Sequence, residues 1–309
     1  MDGIIPLWKE RGMTSHDCVF KIRKILKMKK VGHGGTLDPS VDGLLPICVG
    51  KGTKLLDLLQ TKPKVYCGEI TLGRATTTED REGEIIAEKR VDQPLSNDEI
   101  DRVMQTMTGE QVQIPPMYSA VKVNGKRLYE YARLGQTVER PKRTIEIYHF
   151  QRVSPTEYDK KEGPQKWTFT VQCSKGTYVR TLAVDLGKKL GYPAYMSSLT
   201  RLQSGGFTAK EAGTLSQLQE AVDRGMEKTF IHPIESLVAD LPHIHLTADQ
   251  FKKVSNGMRL SVNQLPRFSG EEVALFYQKK LVAIYEYRDE RRQEIKPAKM
   301  LRTTEEELK

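Results

Sequence analysis

Apolar residues recur along this chain in two rhythms, one helical and one strand-like. Thr14-Ser15-His16-Asp17 reads as a helix start, because a threonine hydroxyl can accept from the backbone N–H three residues on. Val19, Ile22, Ile25 and Leu26 follow it at helical spacing. Ser96-x-x-Glu99 is a second capping box, with Ile100, Val103, Met104 and Met107 as the stripe to be buried. A third helix is expected over 181–190, with Leu182, Leu186 and Leu190 on one face. Gly191 and Pro193 close it, since glycine accepts a left-handed cap and proline cannot continue the ladder. Between these helices the runs 65–72, 145–153 and 167–173 are rich in β-branched and aromatic residues and read as strands. Helices and strands mixed without regular alternation place the chain in the α+β class.

From 117 to 143 the pattern turns basic and tyrosine-rich, through Tyr118, Lys122, Lys126, Arg127, Tyr129, Tyr131, Arg133, Arg140, Lys142 and Arg143. This stretch is read as an excursion from the core that grips RNA, with cations for phosphates and rings for unstacked bases. A boundary is expected near 235–242, dividing a larger unit, 1–238, from a smaller one, 239–309. The smaller unit holds Leu246 and Ala248 ahead of a short helix, an Asn256-Gly257 turn, and strands over 273–277 and 281–287. That is a compact β-rich stretch of small-domain size. The tail from Thr303 is expected to fray.

Composition narrows the class of protein. The 309 residues are 38% hydrophobic, enough for an ordinary core, and no run approaches the ~18–20 apolar residues of a membrane span. Met1 to Lys9 lacks the basic-then-apolar pattern of a secretory signal, so a cytoplasmic location is expected. Lys and Arg total 49 against 40 Asp and Glu, a formal charge of +9 that favours a polyanionic partner. Cys18, Cys48, Cys67 and Cys173 are scattered, without a CxxC pair or a histidine cluster, and read as reduced thiols. His243 and His245 share a face of one expected strand but lack further ligands nearby, so no metal is assigned to them.

The most distinctive segment is VGHGGTLDPSVDGLLPICVGKG, residues 31–52. Its six glycines predict a tightly turned loop that approaches something closely. Asp38 precedes Pro39, which biases it towards extended backbone and leaves its carboxylate free of capping duty. A phosphate-binding loop does not fit: Gly52 stands where Ser or Thr is needed after Gly50-Lys51, and the upstream glycine is missing. A dinucleotide fingerprint fails because Leu37 occupies the place of its third glycine. Read without context, a turn-forming aspartate is the simpler account of Asp38.

Four segments, taken in order, change that reading. GHGGTLDPSVDGLLPICVGKGTK, then KVYCGEITLGRATTTEDREG (64–83), IPPMYSAVKVNGKRLYEYARLG (114–135) and CSKGTYVRTLAVDLGKKLG (173–191) resemble the motifs of the bacterial tRNA pseudouridine-55 synthases, the TruB family. The last seventy or so residues resemble, more loosely, the RNA-binding PUA module. Gly34 departs from the pattern, since many members carry threonine there. The resemblance implies a mixed-sheet catalytic domain followed by a small β-rich PUA-like domain. It also implies a cofactor-free isomerase acting on the T-loop uridine of tRNA by extruding the base.

Asp38 would be the nucleophile, attacking the ribose C1′ or uracil C6 without a cofactor. Arg180 would fork onto Asp38, keeping it ionised and aimed. Tyr66 would stack on the extruded uracil and Tyr178 would line the same pocket, since a base that has left its stack needs a flat apolar face. Leu199 would be an apolar pocket residue, and His33 would fill the gap around the extruded nucleotide or, alternatively, brace its own turn. The T stem-loop would be the partner of a monomer, with no membrane, guide RNA or protein needed, unlike the archaeal and eukaryotic relatives.

Two other classes compete. A non-catalytic RNA-binding or RNA-folding protein could use the same scaffold, and a tRNA-folding role is compatible with catalysis. An RNA methyltransferase would need a glycine-rich cofactor loop after a strand, then an acidic residue, and no such unit is present.

Overall fold

The computed structural model describes residues 1–308, and two sheets organise them. The larger has ten strands, whose backbone order is Gly3–Lys9, Asp42–Val49, Ala194–Ser204, Lys64–Leu72, Gln165–Cys173, Arg143–Arg152 and Gly109–Gln113. Neighbours on this path run antiparallel except where Ala194–Ser204 meets Asp42–Val49 in parallel, Thr200 against Asp42. Gln165–Cys173 alternates strictly between buried and half-buried, putting Trp167, Phe169, Val171 and Cys173 into the core.

The helices Ser15–Ile25, Asn97–Gln105 and Val179–Leu190 add Ile22, Ile100, Met104, Leu182 and Leu186 to the same cluster. Thr14 caps the first as expected: its hydroxyl accepts from Asp17 N at 3.0 Å and the Asp17 carboxylate accepts from Thr14 N at 2.9 Å. At Ser96 only one arm of the expected box forms, its hydroxyl accepting from Glu99 N at 3.2 Å.

Four strands of that path, Gly3–Lys9, Asp42–Val49, Ala194–Ser204 and Gly109–Gln113, escape sequence reading. Gly3–Lys9 and Asp42–Val49 pair along their whole lengths, and both are buried on both faces. Ile5, Leu7, Leu45, Ile47 and Val49 point into one apolar cluster, while Ile4, Leu44 and Cys48 point into another. A strand buried on both sides has no polar beat, so half of what reads as a glycine loop at 31–52 is in fact central sheet. Pro46 is tolerated there because its neighbour changes at that point. Ala194–Ser204 pairs with residues 42–43 and the short strand Val31–His33 with residues 47–49.

The second sheet has five strands in the order His243–His245, Glu272–Tyr277, Lys280–Tyr287, Glu294–Met300 and Leu260–Ser261. The short helix Ala248–Ser255 lies between the first strand and the Asn256-Gly257 turn, where Gly257 adopts φ +68°. His243 and His245 flank the Phe276 ring at 4.7 and 5.7 Å.

The tail is a correction. Residues 306–308 form a short turn, Leu308 is buried, Glu307 accepts from Thr303 N at 2.7 Å, and Lys51 pairs with Glu307 at 2.8 Å. An aliphatic anchor and an ion pair outweigh the fraying tendency of a terminus. Cys18, Cys48 and Cys173 are buried, Cys67 is half-buried, and all four are free thiols. No described helix is long and apolar enough to cross a membrane, and no described group of three or more His, Cys, Asp or Glu could hold a metal.

Candidate active site

Asp38 sits at the tip of the loop joining Val31–His33 to Asp42–Val49, and that loop is held unusually fully. Its five successive carbonyls from Gly35 to Pro39 are all engaged. Arg201 donates to Gly35 and Thr36, and the Ser15 hydroxyl to Leu37. Val41 N–H donates to Asp38, and Lys9 and the Gly12 N–H both donate to Pro39.

Arg201 and Lys9 are both fully buried, and neither forms an ion pair among the described residues. Their charge is instead spread over carbonyl oxygens, including Leu44 O at 2.7 Å from Arg201 Nε and Met13 O at 2.7 Å from Lys9 Nζ. Burial lowers the Lys9 pKa. At Gly43, φ is +117° and a Cβ would lie 2.4 Å from the Arg201 carbonyl oxygen, so only glycine lets the loop turn into its strand. Gly34 has a packing reason too: the space a Cβ would take is filled by Leu59, 1.8 Å away.

Arg180 occupies the first turn of the helix Val179–Leu190, which begins two residues before the expected start. Although it stands at a helix start, the side chain is only 7% exposed. Its Nη1 donates to Thr78 O and Nη2 to Tyr118 O, both at 3.0 Å. Nη2 lies 2.9 Å from Asp38 Oδ2, and Nη1 lies 3.7 Å from Asp80 Oδ2. The contact to Asp38 is an end-on ion pair rather than a fork, because the aligned N–H donors serve the two carbonyls. Asp38 is 39% exposed and Asp80 only 11%, so Asp38 is the more open carboxylate of the pair.

The residues expected at the site converge on one cavity of about 340 Å³. His33, Asp38, Tyr66, Tyr178, Arg180 and Leu199 all line it. Tyr66 and Leu199 come from paired strands, with Leu199 opposite Gly68 and Arg201 opposite Tyr66. Burial raises the Tyr66 pKa, which keeps its hydroxyl neutral. The His33 Nδ1 accepts from Gly35 N at 3.4 Å, and burial lowers its pKa, so a neutral imidazole braces its own turn while one edge stays on the cavity wall.

Sequence reading missed several contributors. Asp80 backs Arg180 from inside a run, ATTTEDREG, whose composition gives no sign of it. Gln113 clasps the Tyr178 backbone from both sides, accepting from Tyr178 N at 2.8 Å and donating to Tyr178 O at 3.0 Å. It pins the residue that precedes the helix. Lys64, on the cavity wall, donates to Gln60 O and Lys62 O, and burial pulls its pKa down to about 8.

The basic excursion folds as a hairpin, Lys122–Val123 with Lys126–Arg127, followed by the helix Leu128–Arg133. Leu128 and Val121 anchor it in the protein while its cations stay largely exposed. Arg127 and Arg133 flank the Tyr129 ring. Tyr129 and Arg133 line a second cavity of about 780 Å³ that shares Asp38, Arg180 and Leu199 with the first. The Asp38 carboxylate therefore stands between a chamber that holds Tyr66 and Tyr178 and a groove that carries Arg11, Arg81 and Arg133 beside Asp80 and Glu82.

Residues 23–179 match the TruB family pseudouridylate synthase N-terminal domain, and residues 180–239 match the tRNA pseudouridylate synthase B C-terminal domain. The tRNA pseudouridine synthase B of Ligilactobacillus salivarius is 52% identical over 291 residues, 94% of this chain and 96% of that protein. Its namesake in Streptococcus sanguinis is 53% identical over 292 residues, 94% and 97% of the two chains. Among solved structures, the archaeal box H/ACA sRNP Nop10-Cbf5 complex contains a chain similar at TM-score 0.73 and 26% identity, covering 99% of this chain and 88% of that one. A Cbf5-Nop10-Gar1 complex contains another at TM-score 0.71 and 30% identity, covering 92% and 78%.

Proposed function

This chain belongs to the TruB family of pseudouridylate synthases, and on that basis we propose that it isomerises uridine-55 in the T-loop of tRNA to pseudouridine, with Asp38 as nucleophile. The observation that carries the reading is the buried Arg180 guanidinium 2.9 Å from a half-open Asp38 carboxylate, on the wall of a chamber that also holds Tyr66. Catalytic roles go to Asp38 and Arg180, and substrate contacts to Tyr66, Tyr178, Leu199 and His33.

The extruded uracil enters the chamber and lies against Tyr66, exchanging the stacking it lost for an aromatic face. Asp38 attacks C1′ of the ribose or C6 of the uracil, and the N1–C1′ bond breaks. The base turns, C5 bonds to C1′, the bond between the Asp38 oxygen and carbon breaks to return the carboxylate, and the hydrogen at C5 is lost as a proton while N1 gains one. The sum is an isomerisation: no electrons are exchanged with an outside reagent, so the protein need supply only a nucleophile, a charge partner and a dry, shaped site. Arg180 fixes the carboxylate's position because two backbone carbonyls fix Arg180 in turn.

The 117–143 excursion holds the T stem-loop through phosphates and exposed bases, and residues 239–309 act as an appended RNA-binding module to the 1–238 catalytic unit. The protein works as a monomer, without guide RNA or protein partners.

Incubation of the purified chain with unmodified tRNA transcript, followed by chemical mapping, tests this. Pseudouridine at the T-loop uridine with unchanged RNA mass supports it; absence of product with every tRNA overturns it. An Asp38→Asn variant that loses modification yet still assists tRNA folding would separate catalysis from a folding role.

A further inference from the structure

The stretch from Cys18 to Leu37 contains no carboxylate but carries Lys21, Arg23, Lys24, Lys27, Lys29 and Lys30, six cations in a chain whose whole surplus is +9. All six are exposed. None forms an ion pair among the described residues; Arg23 donates to Val31 O at 3.0 Å and Lys21 to the Met13 sulfur at 3.3 Å. Lysines on a solvated face usually sit among acids; here the one acid on the helix is Asp17, a turn before Lys21 and engaged by Thr14, and none follows before Leu37. Phe20 adds a second observation. Its ring is 52% exposed on the same helix, with the Lys24 ammonium 4.5 Å from its centroid. An open ring among cations is the pairing that single-stranded and looped RNA engages, base on ring and phosphate on amine.

The patch adjoins the site without belonging to it. Ser15–Ile25 packs its buried face, Cys18, Val19 and Ile22, into the core and leaves Phe20, Lys21 and Lys24 outward. The chain then passes through Lys27, Lys29 and Lys30 into the strand Val31–His33, whose last residue lines the Asp38 cavity. The excursion 117–143 reaches that cavity through other residues, Ser119 and Ala120. We propose that the surface over residues 20–30 docks the sugar–phosphate backbone of the same tRNA outside its T-arm, extending the grip that the excursion begins. The inference rests on the tRNA reading above. One isolated exposed ring offers too little apolar area for burial in a lipid surface, which leaves RNA as the occupant the observations favour.

The test compares Lys24→Gln/Lys27→Gln/Lys29→Gln/Lys30→Gln with the wild type. Affinity is measured for a full tRNA transcript and for its isolated T-arm hairpin between 50 and 200 mM salt. Each lost phosphate contact lowers the slope of log affinity against log salt by roughly 0.7–0.9. The proposal expects the full tRNA to lose at least two such contacts and about tenfold in affinity near 0.1 M salt, while hairpin affinity stays within about twofold. Equal weakening of both RNAs, or of neither, overturns it. Retained tRNA binding with lost binding to phosphatidylserine vesicles overturns it in favour of a membrane. Pseudouridine formation on the hairpin is scored in the same samples, so failure of the catalytic reading shows separately from failure of the patch.

Discussion

Arg180 is wedged between two carboxylates of unequal exposure, and that inequality divides their labour. Asp38 meets the cavity, while Asp80 accepts from the Thr78 hydroxyl and Glu82 N and faces the guanidinium from behind. Asp80→Asn keeps the shape and removes the charge, so Arg180 loses half of its electrostatic frame. We expect kcat to fall about 10- to 100-fold with tRNA affinity nearly unchanged, as read by single-turnover kinetics.

Lys64 gives a pH-dependent expectation. Burial, reinforced by the nearby Arg201 charge, lowers its pKa to about 8 from 10.5. Below pH 8 it is charged in both folded and unfolded chains and the burial penalty is complete. Between pH 8 and 10.5 the folded state sheds its proton first, so stability contributed by this group rises with pH. Cysteines and tyrosines whose pKa burial raises act in the opposite sense over that range. The difference between wild type and Lys64→Met therefore isolates the effect: denaturant titrations at pH 7.5 and 9.5 should show the wild type gaining relative to the variant.

Asp38 and its neighbours were legible in the sequence because the motif preserves side-chain identity. Asp80, Gln113, Arg201 and Lys9 were not, since their work is defined by partners far away in the chain.

Among elements, the helices were the most readable, because a capping residue, a 3.6-residue stripe and a terminal glycine are all local signals. The half-buried strands at 64–72 and 165–173 also announced themselves. Gly3–Lys9 and Asp42–Val49 did not, since each serves apolar clusters on both faces and shows no alternation. The excursion was legible in composition but not in shape, which depends on Leu128 and Val121 finding buried sites. Where Val179–Leu190 begins is steadied by a side chain from a distant strand: Gln113 accepts from the Tyr178 N–H and adds a second donor to the Tyr178 carbonyl, which also takes the Leu182 N–H at 3.1 Å. Gln113→Leu leaves the Tyr178 N–H unpaired in a largely closed setting, while its carbonyl keeps the Leu182 N–H. A loss of about 2–3 kcal/mol in urea unfolding is expected, with turnover reduced as the Arg180 helix start loosens. Unchanged stability would show that the clasp is dispensable.

At the scale of the molecule, the two sheets are joined by more than a linker. Ile234, Leu237 and Val238 pack with Ile4, Leu44 and Leu59 from one side and Phe276, Leu281 and Ile284 from the other. Glu235 accepts from Arg302 Nη1 at 2.8 Å and from Leu281 N at 3.0 Å across the same seam. Glu235→Ala strands a guanidinium that is only 8% exposed, and a cost of about 2–3 kcal/mol is expected, at the lower end for a buried pair because Glu235 retains some solvent. The shared apolar cluster predicts one cooperative unfolding transition, seen together by Trp8 and Trp167 fluorescence and by backbone circular dichroism. Two separated midpoints would show units that fold independently.

The chemistry itself is tested most directly at Asp38, by the release of tritium from tRNA carrying [5-³H]uridine with enzyme in excess. Wild-type protein should release the label from the T-loop uridine, and Asp38→Asn should release none above background while binding the same tRNA with similar affinity. Release by the asparagine variant at a rate within tenfold of wild type would contradict the assignment of this carboxylate as the nucleophile.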